Sequence, residues 1–314
     1  MNRLKILLAL DGSGQSMEAA RYISRILPPG RIRVVLMMVF TRMPEAYWDV
    51  IKENHSPLEE GFLPLVGRVY EREKAAEAFM EEAREIFIKA GLKPDAISVD
   101  IRDKKLGIAR DILAEAERGN CRAVVVGRTG RSKMKDLVAG SVAHKIVQQI
   151  GDVPVWVVDG APDPEKILVA LDSSRAALRV VDYVGELFKD SGSVVTLFHA
   201  ARKLDFDSEE TESNNDLPRE KAWIKLVEEK IGAVFVESVD RLAKAGIDQR
   251  NISIKIKPQV ASRASAIINE ARTGRYGTIF AGRRGLSQEN NLVMGRVTYK
   301  LIQLAREKAL CIVD

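Results

Sequence analysis

The sequence predicts an α/β fold built twice: two tandem, open, five-stranded parallel sheets with helices on both faces. Three observations predict it. Short apolar runs rich in β-branched residues alternate with helix-like segments in the order β-α-β-α-β-α-β-α-β. The order then begins again, because Lys5-Ile6-Leu7-Leu8-Ala9-Leu10-Asp11 returns as Lys166-Ile167-Leu168-Val169-Ala170-Leu171-Asp172, differing only at Leu8/Val169. At 314 residues the chain is long enough for two domains. The expected units are 1–159 and 166–314, with a linker at 160–165 that holds Pro162 and Pro164.

Taken in order, Leu4 to Leu10 is a strand ending in Asp11-Gly12-Ser13. A helix from about Gly14 to Leu27 places Met17, Ala20, Ile23, Ser24 and Leu27 at helical spacing, and Pro28-Pro29-Gly30 stops it. Arg33 to Phe40 is a continuous apolar strand, as expected of a sheet covered on both faces. Residues 41–66 read as irregular. There Tyr47 and Trp48 either pack over a ligand or a partner, or form a satellite core cluster. A charged helix from about Leu65 to Ala90 is closed by Gly91. A strand at Ala96–Ile101, a helix at Gly107–Arg118, a strand at Val124–Val126 and a helix opening near Gly140-Ser141 follow, and Pro154–Val158 is the fifth strand.

In the second half, Val194–His199 is the second strand. The stretch from Asp205 to Asp216 carries six acidic residues and no basic one, and reads as a mobile loop. Helices near Pro218–Ala245 and Ala261–Arg272 and strands near Ile252–Ile256 and Thr278–Ala281 complete the unit, with Ile312-Val313-Asp314 repeating Val157-Val158-Asp159.

Hydrophobic content of 46% and charged content of 30% are those of a soluble globular protein. No apolar run approaches the roughly 20 residues of a membrane span, and Met1-Asn2-Arg3-Leu4-Lys5 feeds straight into a strand without a signal-peptide pattern. No membrane association and a cytoplasmic location are the expectations. Cys121 and Cys311 make neither metal-ligand spacing nor a redox pair. The net charge of +5 comes with charges that alternate in sign, as in Glu71-Arg72-Glu73-Lys74. Solvated helix faces explain that pattern better than a nucleic-acid surface. His55, His144 and His199 join no Ser-His-Asp or metal constellation, so no catalytic residue is assigned and their expected roles are structural.

The most informative stretch is Val124-Val125-Val126-Gly127-Arg128-Thr129-Gly130, then nine residues, then Gly140-Ser141-Val142-Ala143. Strand, glycine loop and helix N-terminus together suit phosphate. Glycines let backbone N–H groups approach an anion, and the first helical turn adds unpaired donors at the positive end of a dipole. Ser141 is placed to cap the helix or touch the ligand. The spacing is not that of a P-loop. The plainer reading is that the glycines only turn the chain and pack the helix.

The spacing Gly-x-x-Gly-x9-Gly-Ser resembles the ATP-binding signature of the universal stress protein family, and the resemblance covers the whole chain twice. It implies a Rossmann-like, adenine nucleotide alpha-hydrolase-like fold. It implies ATP, with Mg²⁺ offsetting charge, in a regulatory or stress-survival role with an unidentified protein partner. It places Asp11 near ribose and phosphates, Val39 at adenine through its backbone, and Gly127, Arg128, Gly130, Gly140, Ser141 and Val142 around phosphate and ribose. Asp11 also suits a turn or cap ahead of the first helix. Arg131, Lys133 and Lys135 would add positive charge. Family members pair through their last strands, so Val155-Trp156-Val157 should lie near Cys311-Ile312-Val313 as an internal pseudo-dimer, with room left for a homodimer.

The second copy reads Gly282-Arg283-Arg284-Gly285, nine residues, then Gly295-Arg296, with Arg296 in place of the serine. Leu286 to Met294 carries Glu289 and no basic residue, while Arg283, Arg284 and Arg296 pull the other way. The expectation is one ATP site, in the first copy, with hydrolysis slow at most. Two rivals stand beside it. One is an interaction module that binds no nucleotide. The other is an adenylating enzyme, which would carry a Ser-Gly-Gly-x-Asp-Ser loop where this chain has Asp11-Gly12-Ser13-Gly14.

Overall fold

The computed structural model describes residues 3–40, 59–129, 140–149, 151–203, 216–285 and 294–314; the side chains of 59–70, 141 and 216–221 fall outside that description. So do Tyr47, Trp48 and His55, the 131–139 run with its three basic residues, most of the acidic stretch, and Glu289.

The first half runs β1 (Leu4–Ala9), α1 (Gly14–Ile26), β2 (Ile32–Phe40), α2 (Glu59–Lys89), β3 (Ile97–Asp103), α3 (Ile108–Arg118), β4 (Ala123–Gly127), α4 (Ser141–Gln148) and β5 (Val155–Val158). The second runs β6 (Lys166–Ala170), α5 (Ala177–Phe188), β7 (Val194–Arg202), α6 (Asp216–Lys244), β8 (Ile252–Val260), α7 (Arg263–Thr273), β9 (Thr278–Gly282), α8 (Arg296–Leu304) and β10 (Ala309–Val313). Helix α2 starts at Glu59, several residues before the expected start. The acidic pair Glu59-Glu60 suits a helix N-terminus, whereas Pro64 reads locally as a breaker.

The ten strands form one sheet in the order β3-β2-β1-β4-β5-β10-β9-β6-β7-β8. Each half is parallel throughout, and the halves meet at an antiparallel seam where Cys311 faces Trp156 and Leu310 faces Val157. The expected internal pseudo-dimer through the last strands is therefore the architecture. Alternation within strands explains the two cores. Ile6, Leu8, Val34 and Leu36 face α1 and α2, while Leu7, Val35 and Met37 face α3 and α4.

The seam is buried and interlocked. Trp156 is fully buried and meets Phe280 edge-on, with ring centroids 5.1 Å apart. Its Nε1–H donates to the Tyr183 hydroxyl at 3.3 Å, and that hydroxyl donates to the Arg122 carbonyl at 2.8 Å. Tyr22 and Thr278 share a hydroxyl–hydroxyl bond across the halves. Both cysteines are buried free thiols, and burial pushes both thiol pKa values up. The linker is fastened as well. Gln15 donates to the Val158 carbonyl at 3.1 Å and accepts from the Gly160 N–H at 3.2 Å. Over Gly277 the linker passes so closely that a Cβ there would lie 1.5 Å from the Asp163 carbonyl oxygen.

Candidate functional site

Within the first half the strand order reverses its direction of growth at β1, with β2 on one side and β4 on the other. Open α/β sheets bind ligands at such a point, at the carboxyl ends of the strands. A cleft of about 310 Å³ opens there. Leu10 and Asp11 line it from the end of β1, Met38, Val39 and Phe40 from β2, and Val126, Gly127 and Thr129 from β4. Gly140, Val142 and Ala143 bring the start of α4 to it, Ile108 and Ile112 come from α3, and Arg72 and Ala76 come from α2.

The sequence-predicted residues separate on inspection. Asp11, Val39, Gly127, Gly140 and Val142 all line the cleft. Gly130 and the Ser141 side chain lie outside the described residues, although Ser141 is the first residue of α4. The Asp11 carboxylate accepts from the Ser13 N–H at 3.0 Å and the Ser13 hydroxyl at 2.6 Å. Ser13 in turn caps α1 by accepting from the Ser16 N–H. Asp11 is thus a turn residue and a cleft residue together. Gly127 has a packing reason of its own: a Cβ there would lie 3.2 Å from the Ser16 nitrogen and 3.3 Å from the Gln15 carbonyl carbon. The Gly140 N–H donates to the Arg128 carbonyl at 2.7 Å, which pins the start of α4 beside the end of β4.

Arg128 departs from its expected place in the cradle. Its side chain is 1% exposed and turns toward the second half. There Nη1 donates to the Ala305 carbonyl and Nη2 to the Gln303 carbonyl, each at 2.9 Å. These carbonyls belong to the C-terminal end of α8, where the helix leaves acceptors unsatisfied and the dipole favours a cation. Burial, with Arg306 adding to it and Asp159 opposing, brings the guanidinium pKa down to about 10. No local pattern around Arg128 announces this contact, because its partners lie about 175 residues away in the sequence.

Sequence reasoning also passed over two features of the cleft and one that supports it. The Arg72 guanidinium sits over the Phe40 ring, 6.0 Å from its centroid. In an alternately charged helix nothing marks Arg72 as different from its neighbours. Ile108 and Ile112 form an aliphatic wall that helical spacing alone assigns to ordinary core. Asp111, buried at the base of α3, accepts from the Lys105, Leu106 and Gly107 N–H groups at 2.8, 3.0 and 3.4 Å and so fixes the loop entering α3. Burial alone would raise its pKa, but these donors and Arg102 hold it below the usual carboxylate value.

The second half keeps the frame and changes the walls. Leu10 N–H bonds the Met37 carbonyl just as Leu171 N–H bonds the Phe198 carbonyl, so Met38, Val39 and Phe40 correspond to His199, Ala200 and Ala201. The N–H of Gly295 bonds the Arg283 carbonyl at 2.9 Å, as Gly140 does with Arg128. Helices α3 and α7 end at equivalent glycines, Gly119 and Gly274, which puts Arg263 where Ile108 stands. His199 bonds the Leu171 carbonyl through Nδ1 at 2.8 Å. Burial and Arg263 lower its pKa, against the Leu171 bond and Asp172. A Cβ on Gly285 would lie 2.4 Å from an Asp172 carboxylate oxygen, so that loop closes onto the strand end.

Among the described residues no three His, Cys, Asp or Glu side chains gather as a metal site, and no helix is long and apolar enough to cross a membrane. Among the described residues, the first-half arrangement offers a slot with an aliphatic wall at Ile108 and Ile112, one arginine, one carboxylate and a helix N-terminus at one end.

Comparison with known proteins agrees with this geometry. The model of the universal stress protein family matches residues 2–159 and again 164–312. Universal stress protein YxiE of Bacillus subtilis (strain 168) is 28% identical over 167 residues, covering 49% of this chain and 97% of the relative. Among solved structures, a universal stress protein from Archaeoglobus fulgidus DSM 4304 superposes with a TM-score of 0.59 at 20% identity, covering 99% of this chain and 98% of that one. PA1789 from Pseudomonas aeruginosa PAO1, described as functionally unknown, gives 0.51 at 14% identity, with 98% and 92% coverage. The chain belongs to the universal stress protein family and carries its domain twice in tandem.

Proposed function

We propose that the first half binds ATP, and that the chain works as a nucleotide-dependent regulator in a stress response rather than as a turnover enzyme. The observation that carries this reading is the cleft at the strand-order reversal, with the N-terminus of α4 opening into it. Its volume of about 310 Å³ lies at the lower end of the range of roughly 300–1,000 Å³ usual for small-molecule sites. The first-turn N–H groups of α4 point out of the helix without intrahelical acceptors, which favours a phosphate there. Val39 at the end of β2 and the wall of Ile108 and Ile112 suit a flat base. Mg²⁺ is commonly held by one or two carboxylates together with the phosphates, and Asp11 is the carboxylate lining the cleft, so the metal would arrive with the nucleotide.

The same reading gives the second half no ATP. Arg263 and His199 replace the apolar Ile108 and Met38, and Gly285 lies against Asp172. The interaction-module reading draws support from Gly127 and Gly140, whose packing and capping roles need no ligand. One experiment separates the two. The purified chain is denatured and its released nucleotide measured, beside Gly140→Arg. ATP or ADP near one per chain, lost in the variant, supports the site. No nucleotide on purification and no binding of added ATP-Mg²⁺ refutes it and leaves the interaction module, while two nucleotides per chain refute the silent second half.

A further inference from the structure

Arg72 is an exposed cation on the wall of an otherwise apolar part of the cleft. It stands one turn before Ala76, the buried residue through which α2 packs on the sheet. Its guanidinium lies over Phe40, the last residue of β2. Across the slot stand Ile108 and Ile112, which reach it from α3 on the opposite face of the sheet. The β2 end of the cleft is thus bounded by an aliphatic wall on one side and, on the other, by an arginine whose guanidinium lies 6.0 Å from the centroid of a phenyl ring. Such a gap fits a flat, apolar-faced group whose π face attracts a cation.

The two halves provide an internal control. Gly91 follows α2 as Gly246 follows α6, and Leu92 N–H bonds the Phe87 carbonyl as Ile247 N–H bonds the Leu242 carbonyl. The buried stripe Ala76, Met80, Ala83, Phe87 then matches Ile231, Phe235, Ser238, Leu242. Arg72 therefore corresponds to Val227 and Phe40 to Ala201. Both members of the pair are missing together from the half that has also replaced the Ser141 position by Arg296. Folding the sheet does not require the pair, since the second half folds without it.

We infer that Arg72 is a specificity-determining residue of the first cleft, its guanidinium plane stacking on the base of the bound nucleotide against the wall of Ile108 and Ile112. This rests on the nucleotide reading above and deepens it. A phosphate contact is disfavoured by placement. The end of β4 lies two strand spacings from β2, about 10 Å. In addition, α4 packs on the face of the sheet opposite to α2.

The test is isothermal titration of wild type, Arg72→Ala and Arg72→Lys with ATP-Mg²⁺ and, separately, with inorganic tripolyphosphate and Mg²⁺. The expected result is a loss of about tenfold in ATP affinity for Arg72→Ala, in line with a partly desolvated cation–π contact, with tripolyphosphate binding unchanged. Arg72→Lys should recover only part of the loss, because an ammonium lacks the stacking plane. Equal loss for both ligands, or full recovery by lysine, overturns base stacking in favour of simple charge. Wild type that binds ATP while Arg72→Ala binds it within twofold of wild type overturns the role of Arg72 alone. Wild type that binds neither ligand refutes the nucleotide reading itself, and this inference with it.

Discussion

Replacing Arg128 separates two readings of the glycine loop. By sequence it belongs to a phosphate cradle; by geometry it caps α8 of the other half through the Gln303 and Ala305 carbonyls. Arg128→Met keeps most of the aliphatic stem and removes the donors. Leaving the buried Ala305 carbonyl unpaired costs about 1–3 kcal/mol, and the half-buried Gln303 carbonyl less. Against this, the guanidinium is no longer held in a site whose burial lowers its pKa to about 10, a relief that solvent screening reduces and that offsets only part of the cost. The offset is partial, and the expected destabilisation of Arg128→Met is about 1–2 kcal/mol. Arg128→Ala also removes the buried stem, at about 0.8 kcal/mol per methylene, and should cost about 3 kcal/mol in all. Equilibrium urea unfolding followed by circular dichroism and tryptophan emission measures both. ATP affinity of Arg128→Met, by titration, should stay within about twofold of wild type, since a factor of two is only about 0.4 kcal/mol. A variant of undiminished stability that loses ATP affinity tenfold would place the guanidinium in the cleft and refute the argument.

Two further outcomes follow from the described geometry. Gly277→Ala sets a Cβ against the Asp163 carbonyl, a contact of 1.5 Å that side-chain motion cannot relieve because backbone meets backbone. The linker must lift, with a loss of about 2–3 kcal/mol in urea unfolding and faster proteolysis within 160–165; unchanged stability and cleavage would contradict the docked linker. His199 has a folded pKa below its ordinary 6.5. Its contribution to stability is therefore present above pH 6.5 and is lost as the pH falls from there through the folded value, because the unfolded chain takes up the proton first. Unfolding midpoints measured from pH 7.5 to 5 should decline more steeply for wild type than for His199→Gln, and parallel curves would rule this out.

Much of the fold was legible because the strands are buried on both faces. Leu4–Leu10, Arg33–Phe40 and Val124–Val126 read as continuous apolar runs for the same reason that α1 and α2 cover one face and α3 and α4 the other. The repeat supplied the second half, and the resemblance to the universal stress protein family implied the seam between Val155-Trp156-Val157 and β10. The start of α2 was not legible, because Pro64 is a local breaker that the helix contains. The site was legible where the backbone defines it, at Asp11, Val39, Gly127, Gly140 and Val142. It was not legible where a long side chain decides. Arg72 and Arg128 are both long cationic side chains that their local sequence does not orient, yet one lines the cleft and the other crosses to α8. Only the tertiary arrangement distinguishes them.

The comparison between halves also shows which parts of the signature speak of a ligand. Gly127, Gly282, Gly285 and Gly295 each stand where a Cβ would press on backbone or carboxylate, at 3.2, 3.2, 2.4 and 3.3 Å respectively. At the end of β4 Gly127, and at the end of β9 Gly282, Gly285 and Gly295, let the chain turn closely against its neighbours, a role that needs no ligand. The walls obey no such constraint. Met38, Phe40, Arg72 and Ile108 stand in the first half, and His199, Ala201, Val227 and Arg263 in the second, on the same backbone frame. Packing therefore accounts for Gly127 and for the second-half glycines, and of the walls Ile112 is kept as the buried Ile267 while the other four positions change. The slot between Arg72 beside Phe40 and Ile108 of α3 thus differs between the halves where the glycines do not, and it adds to the argument for a nucleotide that the cleft and the start of α4 carry.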